Sequence, residues 1–339
     1  MKRILLIIVA ALFLLAVIAG LLGVRYFHNL WFQEKPNHLV QSVANNKVAF
    51  TWSSGNYGDY EEPQDAMLIP VQMTGFNVPL YLQFDTGAPS SILYQKTLES
   101  LREIGLTYEE LTMEERLYAK GVPLQLGGEN LEESTFWLRD MGEQIDTNNP
   151  SGEPIKIGTI GADWLDQKVV HIDFINQEIA WFDQRPAWME DIAGWKAFTF
   201  NGRRFMLPTT IEGKVYDLFY DSGSSAFGLI TTHSRYQRYA KPEEPEIAYN
   251  ANSWGNPIYV HHKATDLEVE IGGAQVPMRR VSYVNMYARW QGFLAMFSKI
   301  GGWLGNKVFL DTHLILDTKD MEYLVVPRGS NALILERGE

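Results

Sequence analysis

The stretch Gln83–Ser91 reads QFDTGAPSS and follows an alternating apolar run. Asp and Gly are common turn residues, so its Asp85-Thr86-Gly87 triplet is compatible with an ordinary turn. A triplet of this type is expected by chance in roughly one of six chains of this length. A second aspartate at an equivalent place in the chain is therefore needed before Asp85 is interpreted as half of a catalytic pair.

The chain supplies that second aspartate within a long internal repeat. Residues 67–70 (MLIP) resemble residues 205–208 (FMLP), and a strand-turn-strand pattern follows each of them. The first copy then reaches FDTGA, which contains Asp85, and the second reaches YDSGS, which contains Asp221. Asp85 therefore has a counterpart at the same place in the repeat.

The parallel between the two copies continues beyond the aspartates. Both contain an alternating strand that ends in Gly-Gly, at 122–128 and 267–273, and both later place an apolar residue before a glycine, Gly161 or Gly305. A polar insertion at 53–66 belongs to the first copy alone. Because the elements are mostly short strands separated by turn residues, each copy is predicted to be an all-β lobe.

Composition excludes several other classes of protein. The chain has 339 residues, no cysteine and a formal net charge of −12. Without cysteine there are no disulfides, thiolate metal sites or Cys nucleophile, and the negative charge argues against a nucleic-acid partner. The adjacent His261 and His262 would project to opposite faces of a strand, and we expect surface or loop residues there rather than a metal site. We expect no metal and no cofactor.

The N-terminus carries a candidate membrane anchor. Residues 4–24 are 21 residues without a charge, long enough to cross a bilayer as a helix. Lys2 and Arg3 precede them, which places the N-terminus in the cytoplasm and the bulk of the chain outside it. The alternative is a signal peptide cleaved after Ala19, but the apolar run continues past that site, which favours an uncleaved anchor. Either reading predicts an extracytoplasmic protein, and the lack of cysteines suggests a bacterial periplasm or envelope.

Taken in order, these motifs resemble the pepsin/retropepsin superfamily of aspartic peptidases over about residues 46–327. The order is a strand, D-[ST]-G-[AS], a strand with Gly-Gly, then apolar-apolar-Gly and an alternating strand. GTIGADWL (158–165) is similar to retropepsins, and the closing run 304–326 is similar to the end of a pepsin-like C-terminal lobe. The resemblance implies a bilobal, pepsin-like, all-β fold, and in this chain that fold would follow the one transmembrane helix predicted at residues 4–24. It also implies that a monomer is sufficient for activity, because one chain supplies both aspartates.

Two carboxylates that share one proton suit hydrolysis without a metal or a covalent nucleophile. Close like charges cannot both ionise cheaply, so their pKa values separate. The ionised member of the pair Asp85–Asp221 would act as general base on a water, and the protonated member would donate to the substrate carbonyl. The predicted function is an aspartic endopeptidase acting on an extended polypeptide. The alternative is a non-catalytic, membrane-anchored peptide-binding or regulatory module on the same fold.

The residues after each aspartate have supporting roles in this interpretation. Gly87 and Gly223 would let the two backbones approach closely, and their N–H groups could bond the carboxylates. Thr86 and Ser222 could form a hydroxyl network that links the two loops.

The pair is predicted to be asymmetric. Ser224 can hydrogen-bond Asp221 from outside, whereas Ala88, at the matching place, has no hydroxyl to offer Asp85.

Two other positions complete the predicted site. Gly161 and Gly305 would pack behind the active-site loops, letting a strand cross close to each of them.

In the family a tyrosine on a hairpin after the first motif covers the cleft. Tyr118 is the candidate for this flap, and Tyr108 and Tyr94 compete with it.

These predictions divide the chain into six parts: a cytoplasmic stub with a transmembrane anchor (1–24), a juxtamembrane linker (25–45), an N-terminal lobe with D-T-G (46–185), an interlobe linker (186–194), a C-terminal lobe with D-S-G (195–328) and a C-terminal tail (329–339).

Overall fold

The computed structural model describes residues 14, 18–23, 25, 26, 28–41, 45–145, 154–286 and 301–329. Most of the predicted anchor and the tail from residue 330 lie outside the described residues. Among the described residues, no helix is long and apolar enough to cross a membrane.

The elements of the first copy of the repeat are β1 (Asn46–Ala49), β2 (Thr51–Tyr57), β3 (Tyr60–Met73), β4 (Leu80–Phe84), β5 (Ile92–Tyr94), α1 (Gln95–Glu103), β6 (Glu109–Met113), β7 (Arg116–Lys120), β8 (Leu124–Leu126), β9 (Glu129–Asn130), β10 (Thr135–Arg139), β11 (Ile155–Ile160), a 3₁₀ helix (Ala162–Leu165), β12 (Val169–Asp173) and β13 (Glu178–Phe182).

After α2 (Ala187–Glu190), the elements of the second copy are β14 (Lys196–Ala197), a 3₁₀ helix (Asn201–Arg203), β15 (Phe205–Ile211), β16 (Lys214–Tyr220), a 3₁₀ helix (Ser222–Ser224), β17 (Leu229–Ile230), α3 (His233–Tyr239), β18 (Ile247–Ser253), β19 (Asn256–Ala264), β20 (Glu268–Ile271), β21 (Ala274–Pro277), β22 (Arg280–Met286), β23 (Trp303–Leu304), a 3₁₀ helix (Asn306–Phe309), β24 (Thr312–Asp317) and β25 (Glu322–Pro327).

The two copies form sheets with the same strand order. Within the described part of the chain, the first lobe has the order β6-β7-β10-β5-β11-β4-β3-β8-β9, with β2 paired to β3. The second lobe has the order β18-β19-β22-β17-β23-β16-β15-β20-β21. Among the described strands of these two sheets the correspondence is one to one, and only β2 has no counterpart. The prediction of two repeated all-β lobes is confirmed.

A third sheet joins the lobes. Its order is β1-β13-β12-β24-β25-β14, so each copy supplies one half. The halves meet where β12 and β24 run antiparallel, with Val169 opposite Asp317. One apolar cluster of buried residues extends through both lobes and includes Trp164, Trp181 and Tyr220. The lobes are therefore held together by backbone pairing as well as by packing.

The strand that leads to each aspartate is fixed by its apolar pattern. In β4, Leu80, Leu82 and Phe84 are buried and alternate with partly exposed residues, as expected of a strand with one face in the core. β4 pairs in parallel with β11, and Phe84 lies opposite Ile160. β16 pairs in the same way with β23, which ends at Leu304. The Asp loop of each lobe thus starts beside an apolar-Gly turn.

The residues predicted as a linker contact both lobes. In the described segment 28–41, the His38 carbonyl accepts a hydrogen bond from the Thr135 amide of the first lobe at 2.9 Å. Glu34 Oε1 accepts one from the Gly202 amide of the second lobe, also at 2.9 Å. This segment therefore crosses from one lobe to the other.

The surface prediction for the histidine pair is wrong at His262. Both residues lie in β19, and the alternation of a strand turns them to opposite faces. His262 is fully buried, where its ring hydrogen-bonds Tyr249 Oη at 2.7 Å and Ser282 Oγ at 2.6 Å. One face of β19 is packed in the lobe, so one of two adjacent residues must be interior.

Candidate active site

Asp85 and Asp221 face each other between the lobes. Asp85 is 4% exposed, and Asp221 is half-buried. A Cβ atom built on Gly87 would lie 2.6 Å from Asp221 Cγ, and one built on Gly223 would lie 2.6 Å from Asp85 Oδ2. Each glycine therefore packs against the opposite aspartate, where a side chain would not fit.

Reciprocal hydrogen bonds fix the two loops relative to each other. The Thr86 amide donates to Ser222 Oγ, and the Ser222 amide donates to Thr86 Oγ1, both at 2.9 Å. The two hydroxyls donate in turn to backbone carbonyls across the interface, Thr86 to Tyr220 and Ser222 to Phe84. Because Thr86 and Ser222 are fully buried, water does not compete with these bonds.

The two carboxylates have different partners. Asp85 Oδ1 accepts hydrogen bonds from the amides of Gly87 at 2.8 Å and Ala88 at 3.1 Å. Asp221 Oδ2 accepts one from the Ser224 hydroxyl at 2.9 Å. Asp221 Oδ1 is buried and has no hydrogen-bond donor among the described residues. The structure thus shows an asymmetric pair, with an oxygen of Asp221 left open to a shared proton or a water.

The electrostatics favour one retained proton on the pair. Burial raises the pKa of Asp85 well above its usual range, the charge of Asp221 raises it further, and the amides of Gly87 and Ala88 oppose the rise. Two such close carboxylates titrate as a unit, so the proton belongs to the pair. A pair that keeps one proton holds a general base and a general acid side by side.

The two predicted packing glycines lie against the backbone of the aspartate loops. A Cβ atom on Gly161 would be 2.7 Å from the Ala88 carbonyl oxygen, and one on Gly305 would be 2.5 Å from the Phe227 carbonyl oxygen. Neither position has room for a side chain.

Two polar residues behind the loops hold them in place. Asp163 accepts hydrogen bonds from the Ser91 amide and hydroxyl, both at 2.7 Å, and its burial raises the pKa of this carboxyl to about 6. Asn306 donates to the Ser222 carbonyl at 3.1 Å and accepts from Tyr220 Oη at 2.9 Å. The matching residue of the first copy is Ala162, which has no polar side chain, so the repeat did not indicate the role of Asn306.

A cavity of about 300 Å³ lies over the pair. Both lobes contribute to its lining, which includes Asp85, Asp221, Tyr57, Tyr94, Phe227, Tyr249 and Trp254. Tyr118, the first candidate for the flap, is not brought to this cavity: it is 7% exposed and its ring contacts His38 at 5.6 Å. Tyr108 does not line the cavity either. Tyr94 does, from strand β5 rather than from a hairpin.

The polar insertion of the first lobe closes one side of the cavity. It forms the hairpin β2–β3, and the ring of Tyr57 stacks on Tyr249 of the second lobe with centroids 4.3 Å apart. Tyr57 Oη donates to Asp65 Oδ1 at 2.7 Å. Sequence reasoning did not assign this hairpin to the site.

Glu62 attaches the same hairpin to the second lobe. Its fully buried carboxylate accepts hydrogen bonds from Tyr60, Arg280 and Lys307. Burial alone would raise the pKa of Glu62, but the bonds from Lys307 and Tyr60 and the charge of Arg280 outweigh it and lower the pKa to about 2. The buried ionic network of Glu62, Arg280 and Lys307, called the latch below, therefore holds the hairpin against the second lobe.

The structure is similar to the crystal structure of an aspartic proteinase from Irpex lacteus. The TM-score is 0.46 and the sequence identity is 9%, over 86% of this chain and 99% of that chain. No family model matches the sequence, and no curated protein matches it significantly.

Proposed function

We propose that the protein is an aspartic endopeptidase in which Asp85 and Asp221 together activate a water. The observation that carries the proposal is the arrangement of the two aspartates. They come from matching loops of two lobes, they face each other across Gly87 and Gly223, and reciprocal Thr86–Ser222 bonds hold the loops. Two carboxylates in this arrangement are suited to hydrolysis without a metal or a covalent intermediate.

The reaction needs one proton on the pair. The ionised member takes a proton from the water as it attacks the peptide carbonyl carbon. The protonated member donates to the carbonyl oxygen, and the roles exchange when the amine leaves. Asp221 Oδ1, which is buried without a hydrogen-bond donor among the described residues, is open to a proton shared by the pair or to that water.

The substrate in this proposal is an extended polypeptide bound between the lobes. The cavity of about 300 Å³ over the pair is lined by both lobes. The β2–β3 hairpin contributes Tyr57 and Asp65 to this lining, so it would contact a peptide bound there. A single copy of the chain supplies both aspartates, so the proposal requires no dimer.

We further propose that residues 4–24 anchor the protein in a membrane, with both lobes on the extracytoplasmic side, in a bacterial periplasm or cell envelope. The uncharged run and the flanking Lys2, Arg3 and Arg25 support this. Protease added outside intact spheroplasts should digest the lobes; protection of the lobes would contradict the orientation.

The test of activity uses the full chain in detergent, because residues 4–24 are an uncharged apolar run and the segment 28–41 that follows them packs on both lobes. Wild type, Asp85→Asn and Asp221→Asn are incubated with an unstructured protein from acidic to neutral pH. Cleavage by wild type that is lost in each variant supports the proposal. Cleavage that persists in either variant contradicts it. A folded wild type that binds peptides at every pH without cutting them identifies the peptide-binding module instead.

A further inference from the structure

One peptide group connects Asp85 to a partly buried arginine, Arg204. The Ala88 amide donates to Asp85 Oδ1 at 3.1 Å. The carbonyl of the same peptide group belongs to Gly87, and it accepts a hydrogen bond from Arg204 Nη1. A guanidinium, a carbonyl, an amide and a carboxylate thus form one chain of hydrogen bonds. Bonds in such a chain polarise each other, so the charge at one end strengthens the donor at the other.

Arg204 lies in an apolar setting. Its guanidinium carbon is 4.5 Å from the ring centroid of Trp31 and 5.5 Å from that of Phe219. Burial lowers the pKa of Arg204, and the charges of Asp221 and Asp85 oppose that change. An arginine stays protonated even so. A cation that is shielded from water acts on nearby carboxylates more strongly than an exposed one.

The arginine compensates for a difference between the lobes. In the second lobe the Ser224 hydroxyl bonds Asp221 directly. In the first lobe the matching residue is Ala88, which has no hydroxyl. Arg204 comes directly before FMLP (205–208), at the start of β15. The matching residue of the first copy, directly before MLIP (67–70), is Ala66. Each lobe therefore stabilises its aspartate loop by a different polar group.

We propose that Arg204 is a positioning residue of the pair, which holds Asp85 and favours its ionised form through the Gly87–Ala88 peptide and so replaces the hydroxyl that residue 88 lacks. Its effect on turnover rests on the proposed peptidase function. Its effect on the titration of the two aspartates does not.

Other charged and titratable groups face this arrangement. Lys35 lies close enough to interact with the charges of Arg204, Arg116 and Arg203. Arg203 also donates to the loop, at the Pro89 carbonyl, but its charge is paired with Asp166 at 2.8 Å. Tyr94 and Tyr220 face the carboxylates; burial raises the pKa of both phenols, so they remain neutral in the acidic range.

The test measures the titration of the pair directly. Full-length protein labelled with ¹³C at the aspartate side-chain carboxyl carbon is titrated by NMR, with Asp85 and Asp221 assigned from Asn variants. In Arg204→Met the lower pKa of the pair should rise by about one pH unit. An opposite charge near a carboxylate lowers its pKa by about 1–3 units, and we expect the smallest of these changes here. Arg204→Lys should show a smaller rise, and adding Ala88→Ser to Arg204→Met should restore much of the original value.

A matched control separates this effect from the general loss of an arginine. Arg235 also donates to a backbone carbonyl, that of Gly301 at 2.7 Å, and also lies over an aromatic ring, Tyr216 at 4.5 Å. It is on α3, away from the pair. Arg235→Met should leave the titration unchanged.

Each outcome decides the proposal. A folded Arg204→Met protein with the wild-type titration overturns it, and so does a rise that Ala88→Ser does not reverse. If Arg204→Met does not fold, Arg204→Lys decides in its place: a wild-type titration overturns the proposal, and a rise that Ala88→Ser reverses supports it. Should the wild type cleave nothing, the peptidase function fails, yet the NMR titration still tests the role of Arg204. Where turnover is present, the acid limb of kcat/KM should move by the same amount as the NMR value.

Discussion

Thr86 and Ser222 each accept a hydrogen bond from the amide of the other at 2.9 Å, although they are 136 residues apart in the chain. Both side chains are fully buried, and each hydroxyl also donates to a carbonyl of the opposite lobe. The distance between the two aspartates is therefore set by a closed ring of bonds between the lobes. Several consequences can be measured.

Replacing Thr86 with Val should weaken the interface between the lobes. The change leaves the Ser222 amide and the Tyr220 carbonyl buried without their partner, at about 1–3 kcal/mol for a group left unsatisfied. We expect a lower free energy of unfolding in urea and reduced turnover. Thr86→Ser keeps the hydroxyl and should remain close to wild type; equal losses in both variants would show that packing of the methyl group, and not the hydrogen bonds, is responsible.

Replacing Glu62 with Gln should release the hairpin from the second lobe. Removing one partner from a buried ionic network leaves Arg280 and Lys307 without their counter-charge, which destabilises a fold by about 3–5 kcal/mol. Glu61→Gln, at an exposed neighbouring position, is the control. Unfolding and limited proteolysis within residues 53–66 would measure the effect. A Glu62→Gln protein as stable and as resistant as Glu61→Gln would contradict the latch.

The latch also has a defined pH dependence. The pKa of Glu62 falls from 4.5 to about 2 in the folded protein, so the unfolded chain binds the proton first as the pH drops. The stability that Glu62 contributes is present above pH 4.5 and is lost between about 4.5 and 2. Glu62→Gln should lack this part of the pH dependence. If the free energy of unfolding of Glu62→Gln changes with pH between 4.5 and 2 as steeply as that of wild type, Glu62 is not its source.

His262 should contribute acid sensitivity over a higher range. Burial, followed by the charge of Arg280, lowers its pKa from 6.5 to about 3. The unfolded chain therefore takes up a proton that the folded protein does not bind, and stability falls as the pH drops from about 6.5 to 3, by about 4–5 kcal/mol. His262→Asn should flatten this slope. His261→Asn, on the opposite face of β19, is the control, and an equal flattening there would refute the assignment.

The sequence was sufficient for those features that repeat. Two matched copies with alternating apolar residues predicted two all-β lobes and put Asp85 and Asp221 at equivalent places. The contrast between Ala88 and Ser224 predicted an asymmetric pair, and the structure shows their different hydrogen bonds. These inferences needed only local pattern and the comparison of one copy with the other.

The features that the sequence did not indicate depend on contacts between distant residues. Glu62 bonds Arg280 and Lys307, which are 218 and 245 positions away, and the polar insertion gives no local sign of this. Tyr57 closes the cavity because the insertion folds towards the second lobe, whereas a flap was expected after the first motif, at Tyr118. Arg204 reaches the Gly87 carbonyl, 117 positions away. Glu62, Tyr57 and Arg204 stand outside the matched motifs.

The central claim is that Asp85 and Asp221 act as one catalytic unit. The most direct measurement is the turnover of one peptide by the full-length wild type, Asp85→Asn, Asp221→Asn and the double variant, prepared in parallel at the pH of maximal activity. The account predicts that each single change lowers kcat by about a thousandfold or more, and that the double variant is no slower than the slower single one, because residues that act together lose their effect together. A single variant that keeps activity within about tenfold of wild type, or losses that multiply in the double variant, would contradict the shared pair.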